Sequence, residues 1–256
     1  SRRQISEPFY LEIAAAIMDE FDLAGDDLLM ARVPIDRDDW PARYVADKRV
    51  DGLILIDRAI EDANLARLEA LGACFVVWGP QLPGQRYVSV GGDSRSGAAS
   101  AVEHLAGQGR RQIGFIGGFG HMVETEARRI GYLAGLERAG LPHSEAAMIY
   151  TDFSSAGGRD AMRALLDRMP GLDAVFVCSD HMAIAAMDVI KTTGRRIPDD
   201  IAVVGYDDIL HVHPCGIFLK LLTGRINILL ELLVSGSDFE FFTEGLQNTR
   251  QINVTA

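Results

Sequence analysis

The sequence has few of the features that mark secreted, membrane or metal-binding proteins. Its three cysteines among 256 residues are an odd number and lack metal-type spacing (Cys74, Cys178 and Cys215). We expect Cys74 and Cys178, which lie in or beside apolar runs, to be buried and reduced. No apolar run approaches the roughly 20 residues of a membrane helix, and no secretory signal follows residue 1. A cytoplasmic setting without a membrane partner fits best.

Basic charge and catalytic motifs are also scarce. Lys and Arg total 25 against 36 Asp and Glu, a formal net charge of −11. Because contacts to DNA phosphates need clustered Lys and Arg, we do not expect this chain to bind DNA by itself. The turn Gly117–Gly120 matches neither G-x-G-x-x-G nor a P-loop. We predict no catalytic residue, metal or cofactor, because no nucleophile-base pair is recognisable and the histidines show no metal-ligand pattern (His104, His121, His143, His181, His211 and His213).

What the sequence does contain is a regular alternation of short β-rich runs and helical periods between residues 8 and 208. Such alternation predicts an α/β fold in which parallel sheets are flanked by helices. Two successive series predict two Rossmann-like lobes, divided near residues 90–93. The predicted strands cover residues 26–33, 51–57, 73–79, 86–93, 112–118, 147–153, 174–178 and 201–205. The predicted helices cover residues 8–21, 38–50, 61–71, 95–109, 124–140, 157–169 and 182–193.

The most informative stretch runs from Leu172 to Ile209 and reads as a strand, a helix and a second strand. Two parallel strands joined by a helix form a right-handed βαβ unit, and ligands bind beyond the carboxyl ends of such strands. Asp180 and Asp207 follow the two strands, and their carboxylates suit the hydroxyls or a cationic group of a small ligand. The alternative is that each carboxylate only caps the turn or helix that follows it.

This stretch resembles the effector-binding domain of LacI/GalR-family transcription regulators, most specifically in the run GRRIPDDIAVVGYDD (Gly194 to Asp208). The resemblance implies a periplasmic-binding-protein-like fold with a ligand cleft between two lobes. It also implies that upstream residues, including a helix-turn-helix domain, are absent from this chain. Residues 209–247 depart from the family pattern. The implied lobes are residues 1–91 with about 217–238, and residues 92–216 with about 246–256.

The resemblance also implies further ligand-binding residues. An arginine before a Gly-Tyr pair points into the family's cleft, and Arg128 stands before Gly131-Tyr132 here. Its forked guanidinium suits vicinal hydroxyls, although a surface helix arginine is the alternative. Sugars pack their apolar faces on aromatic rings, which Trp78 and Phe9 offer unless they belong to the core. The predicted ligand residues, most of them at strand ends, are Asp207, Asp180, Arg128, Trp78, Phe9, Asp57, Asp93 and Phe153.

The favoured hypothesis is the effector-binding and dimerisation part of a LacI-type transcription regulator. Its small-molecule effector would be a sugar or a sugar derivative, which shifts the equilibrium between two lobe arrangements. That shift would control binding to operator DNA through the absent N-terminal domain. A homodimer is expected because operators consist of two-fold symmetric half-sites. Two alternatives stay open, a periplasmic sugar-binding receptor of an ABC transporter and a Rossmann-type enzyme.

Overall fold

The computed structural model describes residues 7–33, 39–60 and 62–209. It confirms the predicted α/β fold, with parallel strands and connecting helices. Within the described residues, one compact unit contains residues 12–93 and another contains residues 7–11 and 94–209. The predicted lobe segments at about 217–238 and 246–256 lie outside the described residues, as do Cys215, His211 and His213. No helix in the described ranges combines the length and the apolar character that crossing a membrane requires.

The unit of residues 12–93 is built on a small parallel sheet. Its strands are β1 (Leu53–Leu55), β2 (Phe75–Trp78) and β3 (Val88–Val90). They lie in the order β1-β2-β3, and the register places Leu53 beside Phe75 and Val76 beside Val88. The helical segments that precede or connect them are α1 (Pro8–Ala24), a π-helical turn (Ala42–Ala46) and α2 (Ala63–Ala70).

The unit that contains residues 94–209 has a four-stranded parallel sheet. Its strands are β4 (Ile113–Gly117), β5 (Met148–Tyr150), β6 (Ala174–Val177) and β7 (Ala202–Val204). They lie in the order β5-β4-β6-β7. The helices are α3 (Ser94–Gly107), α4 (Val123–Arg138), a 3-10 turn (Glu145–Ala147), α5 (Ser155–Arg168) and α6 (Asp180–Thr192).

Helices cover both faces of this four-stranded sheet. On β4, the Phe115 ring packs against Tyr132 of α4, with centroids 5.1 Å apart. A Cβ at the neighbouring Gly114 would instead reach Leu165 of α5. Because successive residues of a strand point to opposite faces, α4 and α5 lie on opposite sides of the sheet. Burial on both faces explains why β4 and β6 are apolar or glycine at every position.

Two predictions for the unit of residues 12–93 are wrong. Residues 26–33 form no strand, and Leu29 and Met30 are exposed. Apolar residues stand side by side there rather than in alternation, so a strand could not bury them on a single face. Cys74 is exposed rather than buried, because it precedes β2 and the buried part of that strand begins at Val76. Cys178 is buried, as predicted.

Helices α3 and α4 approach each other closely at two glycines. A Cβ on Gly131 would lie 2.2 Å from the carbonyl oxygen of Arg95, and a Cβ on Gly135 would lie 2.8 Å from the carbonyl oxygen of Ala99. Both oxygens belong to the backbone of α3, so neither can move aside unless the helix moves. Residues four apart lie on one face of a helix. The two glycines therefore provide the surface on which α3 and α4 touch.

Replacing Gly131 with alanine is expected to lower the free energy of unfolding by about 2–3 kcal/mol, because overpacking forces the two helices apart. Gly107→Ala is the matched control, since Gly107 is also helical but a Cβ there meets nothing within 4 Å. That control should be neutral or stabilising by up to about 1 kcal/mol. Urea unfolding followed by circular dichroism measures both. Equal losses in the two variants would contradict the close helix contact.

Candidate functional site

Three of the predicted ligand residues come together at one edge of the four-stranded sheet. Strands β4, β6 and β7 are parallel neighbours, so their carboxyl ends meet at that edge. Arg128 lies on α4, the helix that follows β4. Asp180 is the first residue of α6, three residues after the end of β6, and Asp207 is three residues after the end of β7. The fold thus assembles an arginine and two carboxylates from distant parts of the sequence.

Arg128 is held on several sides. One terminal nitrogen, Nη1, donates a hydrogen bond to the backbone carbonyl oxygen of Cys178, and Nη2 donates to Asp207 Oδ1 at 3.3 Å. The guanidinium carbon lies 3.8 Å from the centroid of the Tyr206 ring. The side chains of Arg128 and Asp207 are only 8% and 5% exposed. Arg128 is therefore a buried, oriented cation, and the alternative of a surface helix arginine is wrong.

Asp180 supports the turn that contains Asp207. Its Oδ2 accepts a hydrogen bond from the backbone N–H of Ile209 at 3.1 Å, and its own N–H donates to the Tyr206 carbonyl oxygen at 2.7 Å. Ser179, rather than Asp180, caps α6, because its hydroxyl accepts from the N–H of Met182. The carboxylate of Asp180 therefore links the end of β6 to the segment after β7.

The electrostatics of this cluster are dominated by its burial. Asp180 is 1% exposed. Burial, and secondly the negative charge of Asp207, raise the pKa of Asp180 to about 7, against the opposing effect of the backbone N–H groups of Ile209 and Asp208. Burial also raises the pKa of Tyr206, which the charge of Arg128 opposes. The Asp180 carboxyl therefore gains or loses its proton near neutral pH, and the cluster changes charge with it.

Phe153 lies at the same edge, shortly after β5. Its backbone has φ of 63°, a left-handed conformation that is uncommon for a bulky residue. The ring is buried against Gly118 after β4, where a Cβ would come within 1.7 Å of Phe153 Cε2. The Phe119 ring lies 6.2 Å away between centroids. Gly118 is thus a glycine because the Phe153 ring occupies the space of a side chain.

The other predicted ligand residues lie elsewhere in the chain. Asp57 follows β1 with φ of 69°, Trp78 ends β2 and is half-buried, and Asp93 follows β3. Because these three strands are parallel, the three residues lie towards the carboxyl edge of the small sheet. Phe9 is in the first turn of α1, where its half-buried ring lies 5.5 Å from that of Tyr10. Their roles in ligand binding, and the cleft between lobes, stay predictions.

The residues that orient Arg128 are not among those predicted from the sequence. Tyr206 stands directly before Asp207 in the run GYDD, which was the available signal for the aromatic stack. The carbonyl of Cys178 and the N–H of Ile209 are backbone groups, and every residue type except proline carries both. No sequence pattern could therefore have identified those two contacts.

A second polar pair lies close by, between Ser155 Oγ and His181 Nε2 at 2.9 Å. Burial, and secondly the charge of Arg159, lower the pKa of His181. Within the described part of the chain, no carboxylate hydrogen-bonds to His181, and a catalytic serine needs an oriented base and an oxyanion hole. The same residues contain no group of three or more His, Cys, Asp or Glu side chains that could hold a metal ion.

Comparisons with known proteins give the same family as the sequence run. Residues 102–214 match the periplasmic binding protein-like domain. The HTH-type transcriptional regulator CelR of Thermobifida fusca is 35% identical over 212 residues, which are 81% of this chain and 62% of that protein. The HTH-type transcriptional repressor PurR of Aliivibrio salmonicida is 28% identical over 211 residues, 80% of this chain and 63% of that protein.

A solved structure agrees in both fold and sequence. The transcriptional regulator CelR in its cellobiose complex superposes with a TM-score of 0.73 at 36% identity, over 80% of this chain and 64% of that one. The chain belongs to the LacI/GalR family. As a LacI/GalR-type effector-binding domain, it spans less than two thirds of the length of the regulators to which it is similar. The Arg128–Asp207 pair lies inside the matched domain.

Proposed function

We propose that this chain is the effector-binding part of a LacI-type transcriptional regulator, and that its effector is a sugar or a similar polyhydroxylated molecule. The observation that carries the proposal is the buried cluster of Arg128, Asp180 and Asp207 at the carboxyl edge of a parallel sheet. A guanidinium donates hydrogen bonds and carboxylates accept them, so such a cluster can engage both sides of a hydroxyl group. Its members are already oriented before any ligand arrives, which lowers the cost of binding.

The sugar assignment has further support from an aromatic residue and from a relative. Trp78 ends β2 and is half-buried, so its ring can stack on the C–H face of a pyranose, whereas the ring of Phe153 is fully buried. CelR, to which this chain is similar, was solved in complex with cellobiose. Cellobiose is therefore the first probe to use.

We further propose that a separate N-terminal domain contacts operator DNA and that the regulator acts as a cytoplasmic homodimer. The net charge of −11 supports this proposal, because a strongly acidic domain is unsuited to binding the phosphates of the DNA backbone itself. The relatives are transcriptional regulators, which favours this function over a transporter receptor or an enzyme. The gene sequence upstream of Ser1 decides the point, because a basic helix-turn-helix segment supports the regulator and an apolar signal peptide contradicts it.

Titration calorimetry with cellobiose, glucose and galactose tests the binding function. We expect at least one sugar to bind, and Asp207→Asn to weaken its affinity by about 10-fold to 100-fold, because a hydrogen bond to a charged group is lost. Asp188→Asn is the matched control, since Asp188 is exposed on α6 and should leave the affinity unchanged. The sugar proposal fails if none of these sugars binds or if Asp207→Asn binds like the native protein. Chromatography of the mixture would reveal turnover, which would revive the enzyme alternative.

A further inference from the structure

A second arginine, outside the cluster around Arg128, is buried in the unit of residues 12–93. Arg58 follows β1 and is 2% exposed. Its Nη2 donates a hydrogen bond to the Pro80 carbonyl oxygen at 2.5 Å. Its Nη1 donates to Gln85 Oε1 at 2.9 Å and to the hydroxyl of Tyr87. All of these acceptors are neutral, so none of them offsets the positive charge of the buried guanidinium.

Gln85, one of the residues that hold Arg58, is itself fixed by hydrogen bonds. Gln85 donates from Nε2 to the Tyr87 carbonyl oxygen at 2.7 Å and to Ser89 Oγ at 2.9 Å, while its Oε1 also accepts from the N–H of Leu82 at 3.1 Å. These bonds fix the orientation of the amide that faces Arg58. A network of hydrogen bonds around Gln85 therefore positions the arginine.

Arg58 has no anionic partner in the described part of the chain. None of the ion pairs there includes it, and its Nε–H is buried without a hydrogen-bond partner. A buried charge is costly unless a counter-charge compensates it, and a buried donor without an acceptor adds to that cost. An anion that reached Arg58 would relieve both costs.

A cavity of about 270 Å³ opens beside Arg58. Ile60, Leu65, Leu82 and Tyr87 give it apolar surface, and none of the eight predicted effector residues lines it. The carboxylates of Asp62 and Glu69 and the exposed guanidinium of Arg86 also line the cavity. Apart from Arg58 the charge of the lining is therefore net negative, which disfavours a multiply charged anion such as phosphate. The site therefore combines one buried positive charge with a lining of mixed polar and apolar residues.

We propose that this cavity is a second ligand site, which binds a small organic monocarboxylate. The carboxylate pairs with the guanidinium of Arg58, whose forked geometry matches it, and the apolar body of the ligand packs against Ile60, Leu65 and Leu82. The proposed site uses none of the eight predicted effector residues, although Asp57, Trp78 and Asp93 belong to the same unit of the chain as the cavity.

Sodium benzoate is the probe, with benzyl alcohol as its neutral counterpart and inorganic phosphate as the multiply charged anion. NMR titration of the ¹⁵N-labelled chain at constant ionic strength should show benzoate binding that shifts the Arg58 Nε–H signal. Benzyl alcohol and phosphate should each bind at least about 10-fold more weakly, because the first lacks the charge and the second meets the two acidic residues. Arg58→Met should weaken benzoate binding by a similar factor. Absence of benzoate binding, or equal binding of benzyl alcohol or phosphate, overturns the proposal.

Ala66→Phe is a second variant that tests the site even if Arg58→Met does not fold. Ala66 is exposed and lines the cavity, so a phenyl group there should close the site with little effect on folding. Benzoate affinity should fall at least about 10-fold in this variant, while affinity for the sugar stays unchanged. Unaltered benzoate binding in Ala66→Phe would place the anion elsewhere and would leave Arg58 with a purely structural role, as a clamp on the segment from Pro80 to Tyr87.

Discussion

Replacing Arg128 with alanine is expected to lower the free energy of unfolding by about 3–5 kcal/mol at pH 8, because it leaves the buried carboxylate of Asp207 without its counter-charge. Arg128 is the cation that pairs with Asp207, and the negative charge of Asp207 in turn raises the pKa of Asp180. If the cluster binds the sugar as proposed, the same substitution should abolish measurable sugar binding, because an oriented hydrogen-bond donor is removed. Urea unfolding and titration calorimetry on the same preparation measure the two effects.

The neighbouring residue provides a matched control for this substitution. Arg129 pairs with Glu126 at 2.7 Å, but these two side chains are 28% and 34% exposed. An exposed ion pair contributes about 0–1 kcal/mol, so Arg129→Ala should change stability little. The loss in Arg128→Ala should also shrink at pH 5, where Asp180 is protonated and less charge is left unpaired. Similar losses for Arg128 and Arg129 would contradict a buried, pre-oriented cation.

Replacing Asp180 with asparagine is expected to stabilise the protein at pH 8 by about 2–4 kcal/mol, with little change at pH 4. The native pKa of about 7 lies above the ordinary value of 3.8, so the folded state holds a proton that the unfolded state releases between those pH values. Stability from this group is therefore present at low pH and is lost as the pH rises towards 8. Asparagine carries no charge, and its oxygen can still accept the N–H of Ile209.

Urea unfolding of native and Asp180→Asn protein at half-unit steps from pH 4 to pH 8 measures this difference. Subtraction of the two curves removes the contribution of carboxylates that both proteins share. Asp188→Asn, on the exposed side of the same helix, separates the effect of burial from that of an Asp→Asn change in a helix. A difference that does not vary with pH would show that Asp180 stays ionised throughout.

The chemistry of the candidate site was more predictable than its geometry. Strand ends and a family resemblance predict Asp180, Asp207 and Arg128 as ligand residues, and the structure brings these three together, while their role in binding stays a prediction. The sequence pattern did not predict that Tyr206 stacks on Arg128 or that Asp180 holds the segment after β7. It also did not predict the cavity beside Arg58, because the residues that hold Arg58 come from a loop without a recognisable motif.

The sequence by itself determined the alternation of strands and helices, the parallel α/β class and the family, because these depend on local periodicity and on a contiguous run of residues. Tertiary structure decided which apolar residues are buried: Ile13 and Ile17 of α1 are buried, whereas Leu11 and Met18 of the same helix are exposed. It also decided the proton affinity of Asp180, which depends on burial and on a charge 27 residues away in the sequence, at Asp207. Burial and long-range charge are properties of the packed chain, and no local pattern of residues encodes them.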